Sequence, residues 1–378
     1  MTSVVDHLSN LIRIPSVSAM SNRAITNYAS SALTAQGWTM REVTYADEAG
    51  IEKVNLIAAP PGQNVADRTV DLAFVCHTDT VPYSQSWLQA LQPVREGQMV
   101  HGCGACDVKG FLACLLASAE VKDTLWIDGL RIVFTADEEM GCIGSKRLIA
   151  AESLKPRRLI VGEPTSLRPA RAGKGYCLAR VTIHGRESHS ALPEQGVSAI
   201  FAAARLISAL EEFSRQLMIE THELFKPAFT TLNVGTIGGG SAKNIVPGRA
   251  DLLIEWRPIP GLPPNRVPEA IYEILVNLET MYPGLRGSLD ILRQQEGFET
   301  AADSALIRSI ESLTGQPVTS IAFGSEASVW STVVEEIVVF GPGDMQSAHS
   351  ERECISIDEL AIAAQTVNRL MQERTVSP

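Results

Sequence analysis

In the first half of the chain, short unbroken apolar runs alternate with longer stretches whose apolar positions recur at helical spacing. Val70 to Cys76 (VDLAFVC), Leu130 to Thr135 (LRIVFT) and Arg158 to Val161 (RLIV) predict buried strands, with helices over Val108 to Val121 and Cys142 to Ala151. This alternation is how a mostly parallel sheet covered by helices reads in sequence. From about Gly173 the pattern changes. Lys174 to Gly185 (KGYCLARVTIHG) alternates like a strand with one covered face, and Val197 to Phe213 follows as an amphipathic helix. Further strands are predicted at Phe229 to Ile237, Ala250 to Arg257 and Ser288 to Arg293, with a helix over Val267 to Tyr282. Strand, helix, two strands, helix, strand is the ferredoxin-like split order. After Phe298 the first pattern resumes, with a helix over Ser304 to Leu313, a strand near Val318, a helix starting near Glu326 and a strand over Glu336 to Phe340. The sequence thus predicts an α/β fold in which residues 1–173 and 294–378 form one discontinuous domain, interrupted by a second domain at 174–293.

Composition narrows the function classes. A length of 378 residues suits two domains, and 45% hydrophobic with 20% charged residues suits a globular chain. The balance of 32 Lys+Arg against 43 Asp+Glu leaves a net charge of -11 with no basic run, which argues against nucleic acid and anionic membrane as partners. No segment approaches the roughly 20 apolar residues of a membrane span. The N-terminus MTSVVDHLSNLIRIPS carries Asp6 and His7 where a signal peptide needs a basic start and an apolar stretch. Seven cysteines, an odd number and several in apolar surroundings, predict reduced thiols and a cytoplasmic protein without structural disulfides.

Candidate chemistry collects just beyond the C-terminal ends of the predicted strands, the edge at which open α/β sheets bind ligands. Cys76-His77-Thr78-Asp79-Thr80 ends the first run. A metal-binding imidazole usually gives its second ring nitrogen to a carboxylate or carbonyl, and Asp79 could supply that carboxylate; a strand-end histidine hydrogen-bonding in a loop is the bland alternative. His101 to Gly110 (HGCGACDVKG) is a glycine-bearing turn into a helix. There Asp107 could be an N-cap alone, and neither a dinucleotide fingerprint nor a cysteine metal motif is complete. Asp137-Glu138-Glu139 directly follows LRIVFT, so one carboxylate can ligate a metal while its neighbour reaches a bound water. Gly162-Glu163-Pro164-Thr165 repeats the theme, and His349 lies on a loop after EIVVF. Together two His, one Asp and two Glu with a spare Glu suit zinc or a similar ion, and a shared carboxylate suits a pair of ions. The constellation favours a two-metal hydrolase.

The sequence resembles the co-catalytic zinc aminoacylase and carboxypeptidase family. The motifs that carry the likeness are HTDT at 77 to 80, GCGACDVKG at 102 to 110, DEEMGCIGS at 137 to 145, GEPT at 162 to 165, GRESHSALPEQG at 185 to 196, AKNIVPG at 242 to 248 and AH at 348 to 349. They run in family order over most of the chain. The resemblance implies a zinc-peptidase-like catalytic domain and an insert that serves as dimerisation or lid domain. It implies two Zn2+ per subunit, with Co2+ able to substitute: His77, Asp107 and Glu163 on one ion, Asp107, Glu139 and His349 on the other. Asp79 would orient His77, and Glu138 would be the general base. His189 would reach into the other subunit of a homodimer to stabilise the oxyanion, and Asn244 and Arg257 would bind the substrate carboxylate. Read from the residues alone, His189 could be an exposed loop histidine and Arg257 a surface arginine.

Two departures stand out. Cys103 replaces a common Arg and Phe111 a common Gly, which bears on specificity more than on chemistry. Phe323 to Ser328 (FGSEAS) and Phe340 to Asp344 (FGPGD) look most like the branch that deacetylates N2-acetyl-L-ornithine in arginine biosynthesis, whereas desuccinylases of N-succinyl-diaminopimelate tend to have Ser-Asp-Gly where this chain has Ser325-Glu326-Ala327. Glu326 would then meet the substrate's δ-ammonium, or simply favour a helix N-terminus. A non-catalytic metal-binding protein of the same fold is the other class, and Glu138 argues against it, since a pure binder needs no base.

Overall fold

The computed structural model describes residues 2–121, 125–263 and 265–372, so the last six residues of the predicted segment 294–378 lie outside the described residues. The chain forms two compact units. Unit 1 comprises Met1–Arg171, Glu299–Ser320 and Ser325–Pro378, and unit 2 comprises Ala172–Phe298 with the short return Ile321–Gly324. The crossings fall at 171/172 and 298/299 rather than at 173 and 293, and the return through 321–324 carried no compositional mark. One tie that holds this return is the bond from Lys174 N–H to the Ile321 carbonyl at 3.1 Å.

In unit 1 the sheet runs in the order Thr39–Ala46, Glu52–Ala59, Leu130–Thr135, Thr69–His77, Lys155–Gly162, Glu336–Phe340. The last four strands are parallel to one another, and the first two form an antiparallel hairpin whose second strand is antiparallel to Leu130–Thr135. The parallel strands are apolar on both faces because helices cover the sheet, which is why they read as unbroken runs. Lys109–Ala119, buried almost all round, packs with Val4–Ile12 and Ile357–Met371 over one core. Since the four central strands point the same way, the residues after His77, Thr135, Gly162 and Phe340 emerge along one edge. Thus one edge gathers the polar residues of four distant segments.

Unit 2 carries a four-stranded antiparallel sheet in the order Thr231–Gly239, Arg249–Arg257, Tyr176–His184, Arg286–Gln295. This is the strand order of the ferredoxin-like split. Helices Ala199–Leu217 and Arg266–Met281 cover one face, burying Cys177, Val181, Leu252 and Trp256 among Leu206, Leu210 and Ile271. Tyr176 and Arg257, one position along each strand, therefore point to the opposite face.

Candidate metal centre

His77, Asp107, Glu138, Glu139 and Glu163 lie at or just beyond the end of a strand or just before the start of a helix, and His349 lies on the loop between Glu336–Phe340 and Cys354–Ser356. His77 closes the strand Thr69–His77 and is buried. Its Nε2 lies 3.1 Å from Asp107 Oδ1, and its Nδ1 lies 2.9 Å from the main-chain oxygen of Asp79. The imidazole is therefore oriented by a carbonyl, whereas the Asp79 carboxylate stands 3.7 Å away. That carboxylate has other work. It accepts the N–H groups of Glu138 (3.0 Å) and Glu139 (3.2 Å) and the hydroxyl of Ser18 (2.7 Å). The carboxylate expected at the imidazole is thus turned away from it, because the strand ends at His77, before Asp79 is reached.

The acidic run is turned by Asp137, whose φ of 57° lies in the left-handed region that Asp tolerates better than most residues. Lys53 Nζ (2.8 Å) and Tyr45 OH (2.8 Å) both donate to the Asp137 carboxylate. Lys53 is itself 1% exposed, so this is a buried ion pair, and removing either partner would strand the other charge. With the turn so fixed, Glu139 Oε1 stands 3.1 Å from His349 Nε2, while Glu138 is buried beside it with Cys142 Sγ donating to its Oε1 at 3.3 Å.

Asp107 is the common element. Its Oδ1 faces His77 and its Oδ2 lies 3.0 Å from His349 Nε2. Two groups of donor atoms result, each within 4.8 Å of one another: His77, Asp107 and Glu163, and Asp107, Glu139 and His349. One nitrogen and two carboxylate oxygens per group is a donor set for zinc-like ions, and the shared Asp107 suits a bridged pair.

The electrostatics point the same way. Burial, together with neighbouring carboxylates, pushes Glu138 up to about 8, and burial with the charge of Asp107 pushes Glu163 well above its ordinary range. Hydrogen bonds to Asp107 and Glu139 hold His349 up to about 10. Burial would lower His77, but Asp107 keeps it raised; burial would raise Asp107, but the two imidazoles keep it low. So many buried acids around two imidazoles constitute a site that cations would relieve.

A pH dependence of the metal-free protein follows. Glu138, Glu163, His77 and His349 all have folded-state pKa values above their unfolded ones. Such groups stabilise the fold below the unfolded pKa and lose that contribution as pH rises through the folded one. Asp107 has the opposite sign, but its contribution is lost only as pH falls below about 3.8. Chelator-treated protein should therefore lose stability in urea unfolding as pH rises from about 5 to about 9, and zinc should flatten the curve. Metal-free stability that climbs over that range would contradict the assignment.

Glu326 borders the centre, close enough for its charge to act on Glu138 and Glu163. It precedes the short helix Ala327–Trp330 without a side-chain capping bond; it is fully buried, and its Oε1 accepts the hydroxyl of Ser145 at 2.6 Å. Trp330 Nε1 donates to that same hydroxyl at 2.7 Å. Glu326 was expected to meet a substrate ammonium; the carboxyl is fully buried, with one oxygen held by Ser145 and the other, Oε2, without a hydrogen-bond partner among the described residues. Phe111 packs edge-on to Phe340, and its ring fills the space that a Cβ at Gly162 would need, so the departure at 111 is answered inside the core. Cys103 is likewise buried.

In unit 2, His189 is exposed on the two-residue strand Ser188–His189, paired with Ile245–Val246. Its Nδ1 accepts the N–H of Ala191 at 3.1 Å, so the neutral ring carries its proton on Nε2. Asn244 is exposed, and its carbonyl accepts the Ser190 N–H. The Arg257 guanidinium pairs with Glu255 at 2.7 Å and stacks 3.9 Å from the Tyr176 ring centroid. Arg293, on the strand flanking Tyr176 from the other side, lies 4.2 Å from that centroid. Sequence reading missed Tyr176, Arg293 and Lys53, and it placed Asp137 in the acidic run without the role of fixing its turn. A lysine inside an otherwise buried strand was the one available signal, for Lys53.

Comparison with known proteins completes the picture. Residues 73–373 match the family model described as peptidase family M20/M25/M40. The chain is 40% identical over 354 residues to an acetylornithine deacetylase of Myxococcus xanthus, covering 93% of this chain and 92% of that one. Among solved structures it is similar to a tripeptidase from Staphylococcus aureus (TM-score 0.76, 22% identity, 97% of this chain and 96% of the other). It is also similar to a dinuclear metal-binding M20 peptidase from Bacillus subtilis (TM-score 0.70, 12% identity, 97% of each chain). The structural likenesses establish the fold, and the relative and the family model establish descent: this chain belongs to peptidase family M20/M25/M40.

Proposed function

We propose that the chain is a two-metal amidohydrolase that cleaves the amide of N-acyl amino acids, N2-acetyl-L-ornithine foremost, to give L-ornithine and acetate for arginine biosynthesis. The observation that carries this is the pair of donor groups sharing Asp107, with Glu138 left outside both and buried beside them. The likeness to a deacetylase over nearly the whole chain supports the acyl group and the amino acid.

His77, Asp107 and Glu163 would hold one Zn2+, and Asp107, Glu139 and His349 the other, with Co2+ able to substitute. Bound there, the ions lower the pKa of water and polarise the amide carbonyl. Glu138 takes the proton of the attacking water on its carboxylate and delivers it to the departing nitrogen. Asp79 keeps Glu138 and Glu139 in place through their amides. Arg257, which shares the Tyr176 ring with Arg293, and Asn244, which lies beyond the other end of the strand Arg249–Arg257, are the candidates of unit 2 for the substrate carboxylate. The seven free cysteines accord with a cytoplasmic enzyme. Among the described residues no helix is long and apolar enough to cross a membrane.

The enzyme works as a homodimer through unit 2, which exposes Phe201, Tyr272 and Met281 on its two helices and Ile237 on an edge strand. In that dimer the Nε2–H of His189 serves the oxyanion of the partner's site. His189→Ala should lower kcat about 10² to 10³, as for loss of one oxyanion donor, with metal content unchanged. Mixing inactive Glu138→Ala and His189→Ala subunits should restore partial activity, and failure after proven subunit exchange would confine His189 to its own chain. A panel of N-acetyl and N-succinyl amino acids, assayed for released acid with zinc-loaded protein, tests the substrate. Preference for N-succinyl-diaminopimelate would overturn the acetylornithine assignment.

A further inference from the structure

Glu353 lies four residues beyond His349, is 3% exposed, and belongs to neither donor group. Its Oε2 accepts the Gly104 N–H at 2.9 Å, and its Oε1 accepts the N–H groups of Cys106 at 3.0 Å and Asp107 at 2.9 Å. A fourth N–H, that of Gly102, meets the Glu353 main-chain oxygen at 3.3 Å. The next residue, Cys354, sits opposite His101 in the antiparallel pair of Cys354–Ser356 with Met99–His101. The whole segment from 101 to 107 is thus docked onto residues 353 and 354. Gly104, at φ +76°, has no room for a Cβ, which would lie 2.9 Å from the side chains of Thr80 and Lys109, so the loop has little slack.

A buried carboxylate that gathers three amides is a strong, charge-assisted anchor, and each amide would be costly to leave unpaired. Here the third amide belongs to Asp107, whose two oxygens face His77 and His349. From Glu353 the chain also runs back through the Ser350 carbonyl, which accepts the Glu353 N–H at 3.0 Å, to His349 itself, held at φ 55°. One side chain therefore ties the loop bearing the shared acid to the loop bearing an imidazole. We propose that Glu353 is the positioning residue of the metal centre, holding Asp107 and His349 at the spacing two cations require. The inference rests on the two-ion reading of the site.

Titration of Co2+ and Zn2+ into the metal-free, full-length protein tests it, with Co2+ visible absorption reporting ligand geometry. In Glu353→Gln the amide oxygen can keep Cys106 and Asp107, but its NH2 faces the Gly104 N–H as donor against donor. Cation affinity should fall about 10- to 100-fold, the usual effect of losing a partner behind a ligand, and most for the ion held by both Asp107 and His349. The Co2+ spectrum should shift, while saturating metal should recover much of the lost turnover. Glu353→Asp, which keeps the charge but is one methylene short, should fall between. Ser118→Ala serves as the stability control: its hydroxyl bonds the Ala364 carbonyl between two helices, so it should lower Tm without moving cation affinity. Should Glu353→Gln not fold, Glu353→Asp is scored by the same titration. Wild-type affinity and spectrum in the Glu353 variants, with only a lowered Tm, would overturn the proposal. A wild-type protein that takes up fewer than two ions would instead overturn the two-ion reading.

Discussion

Glu138→Gln should lower kcat about 10² to 10⁴, the range that a positioned general base contributes, while two ions per chain remain bound. The separation is expected because Glu138 stands outside both donor groups. Its environment suits the task. Burial and the carboxylates of Glu139, Glu326 and Asp79 push it up to about 8, against the lowering influence of His77. Cations would pull that value down toward neutrality, where a base combines a useful ionised fraction with a real appetite for protons. The same crowding makes the control simple. Replacing Glu138 by a neutral isostere removes one of several mutually repelling acids, so metal-free Glu138→Gln should be at least as stable as the wild type at pH 8. Lost turnover therefore cannot be ascribed to unfolding. Measured kcat within a fewfold of wild type, at full metal occupancy, would remove Glu138 from the mechanism.

What could be read from sequence follows from what each residue needs. VDLAFVC, LRIVFT and EIVVF are buried on both faces, so they stand out as unbroken runs, and polar residues directly after them can only lie at the sheet edge. That made His77, Asp137 to Glu139, Glu163 and His349 legible in the sequence as one group. The hairpin of Thr39–Ala46 and Glu52–Ala59 was not predicted. Its outer strand alternates between half-buried and exposed, and its inner strand carries Lys53 and Asn55 where a core strand should be apolar. Both polar residues serve the site: Lys53 neutralises Asp137, and the Asn55 side chain bonds Ala136 N–H and the Gly144 carbonyl on either side of the acidic turn.

Glu353 was hidden for a different reason. It reads as one acid in a polar run, Ser350-Glu351-Arg352-Glu353, and its partners are backbone amides some 246 to 249 residues earlier. An amide has no residue type, so sequence offers no partner to match. Asp79 failed more mildly, since its carboxylate was expected at the imidazole and found at two amides. Glu326 failed because an acid at a helix start reads alike whether it faces solvent or a buried serine.

Asp107 is where the largest loss is expected, and the two substitutions at this position should differ. Asp107→Ala removes an oxygen from each donor group, so both ions should be lost at assay concentrations. Asp107→Asn keeps one oxygen and puts an NH2 in place of the other, and an amide nitrogen bearing two hydrogens is no ligand for zinc. It should retain at most one ion, and the imidazole facing the NH2 should lose its acceptor. Metals contribute several kcal/mol to charge stabilisation, and each 1.36 kcal/mol is a factor of ten in rate, so activity should fall at least about 10³ in either variant. A readout independent of turnover comes from the metal-free state. The hydrogen bond to Asp107 is the largest cause that holds His349 up to about 10. An NMR titration of its ring should therefore move down toward the ordinary histidine range in Asp107→Ala, with Glu139 still retaining part of the shift. An unmoved His349 titration, or two ions bound with normal affinity, would mean that Asp107 is not shared between the sites, and the two-metal arrangement would have to be rebuilt around another acid.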